Sequence, residues 1–291
     1  MINIAKPSRF FQIILFTVLT MYTSLQSAEL GLSTSPAKSP ISGSQIIETN
    51  TFADLLKFIK PNSLILLDID DTLMECVQTL GSDRWFNSRI AFYKKQGIED
   101  QRALDTALMD WVSVQCLTKV KIVEPGNDKV VRRMQDEGFH VIGLTTRGAS
   151  LATRTTQQLD TLGIDLTLSA PTREEKVFLN PHEVIYKHGA LFTSGTHKGK
   201  ALFKFLDMIK DQFPLEEIDG IVFINDKRTH LDQIRETCEE KGIPFIGLRY
   251  GYSDKRVASF DEEIAQIQFE HFGQLISDDE ARRELPATKK K

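Results

Sequence analysis

Five short apolar runs decide what this chain can fold into. Residues 63–67 ("SLILL"), 140–144 ("HVIGL"), 190–193 ("ALFT"), 221–224 ("IVFI") and 244–248 ("PFIGL") carry almost no polar alternation, so each reads as a strand covered on both faces. Between them, residues 127–137, 149–162, 198–209 and 229–241 place apolar side chains three and four apart, several with Gly just past the end, which is the spacing and stop signal of helices. Strands alternating with helices imply an α/β fold, a doubly wound, Rossmann-like and mostly parallel sheet. With 291 residues and 41% hydrophobic content the chain has an ordinary globular core to build it from.

Two stretches interrupt the alternation. Residues 77–121, with helical patterns near 87–96 and 100–117, are expected to form a small helical cap over the sheet's carboxyl edge. Residues 169–188 contain "EKVFL" and "EVIYKHG" around Asn180-Pro181 and predict a short hairpin. A helix capped by Asn50 or Thr51 is expected over 52–59. The folded α/β domain then runs from 46 to 276, between a Ser-, Pro- and Gly-rich lead-in at 29–45 and a polar tail at 277–291.

The amino-terminal segment has a different character. Lys6 and Arg9 precede an apolar run over 10–22, and small and polar residues follow through Ala28, the layout of a secretory signal peptide. As a helix that run reaches about 20 Å against roughly 30 Å of hydrocarbon, so stable membrane insertion is not expected. Periplasmic or secreted residence follows, with cleavage near Ala28, although Gln26 is not the small residue expected two before it. Net charge is −4, and removing two cations and no acid takes it to −6, which argues against a nucleic-acid partner. Cys76, Cys116 and Cys238 are too few and too far apart to imply a disulfide framework. No signal for an oligomeric state is present.

The first strand ends in acids: Asp68, Asp70 and Asp71 follow Leu67. In extended chain Asp68 and Asp70 project to the same side, and their repulsion must be offset by a proton, a cation or a metal. The bland alternative is a polar turn in which an Asp caps the next element and Thr72 assists. In open α/β sheets ligands bind beyond the strands' carboxyl ends, where strand order reverses. At those ends the second strand supplies Thr145, Thr146 and Arg147, the third leads to Lys198 and the fourth to Asn225 and Asp226. Two carboxylates, a hydroxyl, an ammonium and a further carboxylate are what phosphoryl transfer needs, since a carboxylate attacks phosphorus only when the incoming anion is neutralised.

The segments "DIDDT", "GLTTR", the Lys of "HKGKAL" and "FIND", in that order, resemble the four motifs of the haloacid dehalogenase-like superfamily, and the first two are most similar to its bacterial acid phosphatases. The resemblance spans residues 64–248 and implies a Mg²⁺-dependent phosphohydrolase acting on a small-molecule phosphate ester through an aspartyl-phosphate. It implies Asp68 as nucleophile and metal ligand, and Asp70 as general acid/base that ligates the metal through its carbonyl. Thr145 and Thr146 with Lys198 would hold the phosphoryl group, and Asp226 would complete the metal site. Asn225 stands where the family pattern has Gly or Asp, which keeps open a second reading, a catalytically silent phosphate-site scaffold. A dehalogenase has no need of the acid at Asp70, and a receiver domain would be smaller and without a cap. Arg147, His197 and His230 are expected to be structural or on the surface. Trp85 and Phe86 are expected either to stack on a substrate or to pack the cap on the sheet.

Overall fold

The computed structural model describes residues 43–285, Phe272 and Leu275 excepted. The expected signal segment, the lead-in through residue 42 and the end of the tail lie outside the described residues. Strand β1 (Gln45–Thr49) leads through a 3-10 turn at Phe52–Lys57, where a helix was expected, to β2 (Ser63–Leu67) and β3 (Met74–Cys76). Helices α1 (Asp83–Lys95) and α2 (Asp100–Leu117) follow, then β4 (Val120–Ile122), α3 (Asn127–Asp136), β5 (His140–Thr145) and α4 (Ala152–Thr161). The expected hairpin is β6 (Lys176–Asn180) and β7 (His182–Lys187), followed by β8 (Ala190–Phe192) and α5 (Lys198–Met208). The chain continues through β9 (Gly220–Asn225), α6 (Arg228–Lys241) and β10 (Phe245–Tyr250), and closes with α7 (Asp254–Ala258), α8 (Glu262–Glu270) and α9 (Asp278–Glu284).

Eight strands form one sheet in the order β1-β10-β9-β2-β5-β8-β7-β6, with every pair parallel up to β8 and the last two strands antiparallel. The fold is a mostly parallel α/β sheet between helices. Period-two alternation along the buried β2 divides the core: Ile65 and Leu67 face one layer with Val131, Met134 and Leu159, while Leu64 and Leu66 face the other with Leu202, Phe205, Leu231 and Ile234. The first layer is therefore made by α3 and α4 and the second by α5 and α6. Chain order runs outward from β2 to β5 and β8 on one side, and returns to β9 and β10 on the other. That reversal sets a crevice beyond the carboxyl end of β2.

Helices α1 and α2 occupy the stretch where the cap was expected, and its two ends are pinned by a feature that was not expected. β3 and β4 pair antiparallel, Met74 with Ile122 and Cys76 with Val120, so the cap's entry and exit are one ribbon. Three-residue strands are too short to leave a periodic signal. Inside the cap, Leu80, Trp85 and Val114 pack with Ala265 of α8, and the Trp85 ring lies 5.4 Å from Phe269. Trp85 thus anchors the cap to the carboxyl-terminal helices rather than to the sheet or a substrate.

The polar-tail expectation fails over 278–284, which form α9. Ser277 and Glu280 cap each other reciprocally, and Asp278 accepts from the Thr79 N–H at 3.0 Å and from its hydroxyl at 2.9 Å. The Ser-x-x-Glu signature was legible in the sequence and outweighs the polar composition.

Candidate phosphoryl-transfer site

Strand β2 continues its pairing one residue past Leu67, the Asp68 N–H donating to the Ile224 carbonyl at 3.1 Å. This fixes the Asp68 side chain in the crevice, 5% exposed. The Lys198 ammonium, fully buried at the start of α5, donates to Asp68 Oδ1 at 2.6 Å and to the Leu144 carbonyl at 2.8 Å. An ammonium has three donors, so one remains. Lys198 can sit there because its neighbour is Gly199: a Cβ at that position would lie 2.3 Å from both the Gln233 carbonyl and Thr237 Oγ1 of α6. The backbone N–H of Lys198 is held by Gln233 Oε1 at 2.8 Å. His197 acts as the N-cap of α5, its ring accepting from the Lys200 N–H, which matches its expected structural role.

Thr72 joins two of the motifs. Its hydroxyl approaches Asp68 Oδ2 at 3.5 Å and accepts the Asp226 N–H at 3.2 Å. Burial pushes the Asp68 carboxyl above the usual carboxylate range and pulls Lys198 below the usual lysine range, although each charge favours the other. Asp226 is held well above the ordinary range, first by burial and then by the charge of Asp68. Two carboxylates that repel across the crevice form a donor set that a divalent cation would relieve, and Mg²⁺ takes one or two carboxylates together with phosphate and water. Among the described residues no three His, Cys, Asp or Glu side chains cluster as a metal site. The side chains that could hold such an ion are the carboxylates of Asp68 and Asp226.

The Asp70 side chain is engaged by Arg147. Its two oxygens accept from Arg147 Nε at 2.9 Å and Nη2 at 2.7 Å, a bidentate clamp. Arg147 is 2% exposed and far from a surface residue. Thr155 and Gln158 of α4 and Gln115 of the cap accept from it, and the Trp111 ring lies 5.4 Å away. Burial is the largest single influence and opposes the guanidinium's charge, but Asp70 together with Cys76 and Asp68 raises the Arg147 pKa. Reading the strand ends located Arg147, yet a partner 77 positions away leaves no local signal.

At the end of β5, Thr145 is buried, and its hydroxyl accepts the Arg147 N–H at 3.0 Å, leaving its own proton to donate. Thr146 is half-buried, and its carbonyl takes the Gly195 N–H at 2.9 Å. Asn225 offers a metal little: its Oδ1 accepts the Lys227 N–H at 2.7 Å, an Asx-turn that the order Asn-Asp-Lys could have revealed. Lys227, passed over in the sequence, reaches Asp83 of the cap at 2.8 Å. Burial works against its charge, while Asp83 and Asp226 raise its pKa.

His230 is pushed down to about 2 by burial and by the charges of Lys198 and Lys227. Its neutral Nδ1 lies 3.4 Å from the Asn225 amide. Because the folded pKa is below the unfolded value of roughly 6.5, the unfolded chain binds the proton first on acidification. Stability is present above pH 6.5 and is lost as pH falls toward 2, at roughly 1.4 kcal/mol per unit. Between pH 7 and 5 the wild type should lose about 2 kcal/mol more than His230→Gln, read from urea melts at both values. Parallel losses would contradict the assignment.

This site sits in a chain whose relatives carry envelope names. One from Chlamydia trachomatis serovar D, named "Putative outer membrane protein", is 28% identical over 220 residues, covering 76% of this chain and 81% of the relative. Proteins of the same name from Chlamydia pneumoniae and Chlamydia muridarum are each 26% identical over 220 residues, with the same coverage. Residues 48–282 match the family described as "Protein of unknown function (DUF2608)", and the chain belongs to that family.

Proposed function

We propose that this protein is a Mg²⁺-dependent phosphomonoesterase of the bacterial cell envelope, periplasmic or secreted, acting through an aspartyl-phosphate. The observation that carries the reading is the buried Lys198–Asp68 pair at the strand-order reversal, with Asp226 and Thr145 at the neighbouring strand ends. Lys198 occupies Oδ1 of Asp68, which leaves Oδ2 as the attacking oxygen. Oδ2 forms a bond to phosphorus as the ester P–O bond breaks, and the departing oxygen takes a proton from Asp70. Water then attacks the phosphorus of the acyl phosphate, gives a proton back to Asp70, and frees the Asp68 carboxylate and inorganic phosphate. The third donor of Lys198 and the Thr145 hydroxyl hold the equatorial oxygens. Mg²⁺, held by Asp68 and Asp226, would neutralise the phosphate dianion. Asp70 has to leave the Arg147 clamp to reach the leaving oxygen.

That clamp also favours a second reading, a binding scaffold in which the phosphate site is retained and Asp70 never moves. A panel of phosphate esters, with and without Mg²⁺, decides between them: turnover that chelation abolishes supports the enzyme, and tight phosphate binding without turnover supports the scaffold. Asp70→Asn should lose about 10²-fold or more on an alkyl phosphate and much less on nitrophenyl phosphate, whose leaving group needs little protonation. Equal losses on both would remove Asp70 as the acid.

The envelope placement rests on the relatives' names and on the signal-like start. Among the described residues no helix is long and apolar enough to cross a membrane. Mature protein recovered from an envelope fraction should begin near Glu29, and an intact Met1 would argue for another residence.

A further inference from the structure

Beside the acid loop lies a cleft of about 220 Å³ that the phosphoryl chemistry does not use. It opens between the cap, strand β4 and the carboxyl-terminal helices, and four cations line it: Arg84, Lys121, Arg256 and Arg282. Among the described residues only two carboxylates line it with them, Asp71 and Asp278, and both are spoken for. Asp278 accepts from the Thr79 N–H and hydroxyl and from Gln268 Nε2 at 2.7 Å. Asp71 faces Arg256 Nη1 at 3.4 Å.

The cations are not equally committed. Arg256 also meets Glu75 at 3.3 Å, and Lys121 meets the same carboxylate at 3.1 Å. Among the described residues Arg282 pairs with the exposed Asp279, at 3.5 Å. Arg84 is exposed and makes no ion pair among the described residues. Among the described residues cations outnumber carboxylates in the cleft's lining four to two, and the two least committed, Arg84 and Arg282, are guanidinium groups, whose forked geometry suits phosphate or carboxylate oxygens.

Asp71 ties this cleft to the proposed reacting centre. It follows Asp70 directly, in a left-handed conformation with φ 56°, and lines the cleft. Three peptide units separate it from Asp68, at most about 11 Å of backbone. We infer that the cleft is a subsite for a second anionic group of the substrate, so that the preferred substrate is a phosphomonoester carrying another phosphate or carboxylate, clamped by Arg84 and Arg282. This inference rests on the phosphatase reading, and deepens it to a substrate class.

The test uses straight-chain alkanediol bisphosphates, from propane to octane, against alkyl monophosphates of the same length. With the full mature protein and Mg²⁺, kcat/KM for the best bisphosphate should exceed that of its monophosphate at least about tenfold. In Arg84→Ala/Arg282→Ala, which should melt like the wild type because both side chains are exposed, that ratio should fall to about one. A ratio near one throughout the wild-type series, or one that survives the double substitution, overturns the subsite. If no ester is hydrolysed the phosphatase reading fails separately, and calorimetry on the same pairs reads the subsite. Bisphosphate binding about tenfold tighter, lost in the double variant, supports it, and equal affinities overturn it. Inorganic phosphate separates a free anion from a substrate group: phosphate binding that the double variant loses, with no bisphosphate preference in the wild type, refutes the substrate assignment.

Discussion

Asp68→Asn is expected to give a folded protein with no measurable phosphatase turnover. The amide keeps the shape of the carboxylate but cannot attack phosphorus, and loss of a covalent nucleophile should leave no more than the background rate. It should fold with reduced stability, because Lys198 loses its buried counter-charge but keeps the charge of Asp226 beside it. The amide oxygen can still accept from Lys198, which sits 2.6 Å from Asp68 Oδ1, and removing one negative charge relieves the repulsion that raises Asp226. Circular dichroism and melting establish the fold, and release of inorganic phosphate measures turnover. Wild-type activity in this variant would remove Asp68 from the mechanism, and with it the aspartyl-phosphate.

Lys198→Met should be costly to stability as well as to activity. Lys198 is fully buried and its partner nearly so; removing one member of a buried pair costs about 3–5 kcal/mol because the other charge is left uncompensated. Asp226 adds to the penalty by facing Asp68, and the Leu144 carbonyl loses a donor held at 2.8 Å. The least costly response is for Asp68 to take up a proton, which also ends its role as nucleophile. Adding Asp68→Asn to this variant removes the orphaned charge, so the double variant should recover most of the lost stability. Urea melts of the four proteins form the cycle, and the coupling should be large. A double variant no more stable than Lys198→Met would mean that the cost lies in packing and not in charge.

The two predictions differ because the same ammonium serves two purposes. It balances a buried carboxylate in the ground state and, in the proposed reaction, keeps one donor for a phosphoryl oxygen. The Arg147 clamp on Asp70 has a different character, since Asp70 remains one-third exposed while Arg147 is almost wholly enclosed. Its geometry favours movement of the carboxylate and not of the guanidinium.

Apolar runs and helical spacing located the central strands and the helices around them, because residues buried on both faces need no partner's identity to be recognised. The strand ends then exposed Asp68, Asp70, Thr145, Lys198 and Asp226, since a parallel sheet brings its carboxyl ends to one edge whatever the loop lengths. Two local signals were present and passed over: the Asx-turn at Asn225 and the capping box at Ser277. What no local reading could supply were the long-range pairings. Arg147 on Asp70 spans 77 positions, Lys227 on Asp83 spans 144 and Arg256 on Asp71 spans 185. A lone Arg or Lys in sequence looks the same whether it lies in solvent or in a crevice. The sequence by itself determined which acids and cations reach the carboxyl edge of the sheet. Only the tertiary structure decided which acid each cation neutralises, because that depends on distance and burial, neither of which a periodic pattern encodes.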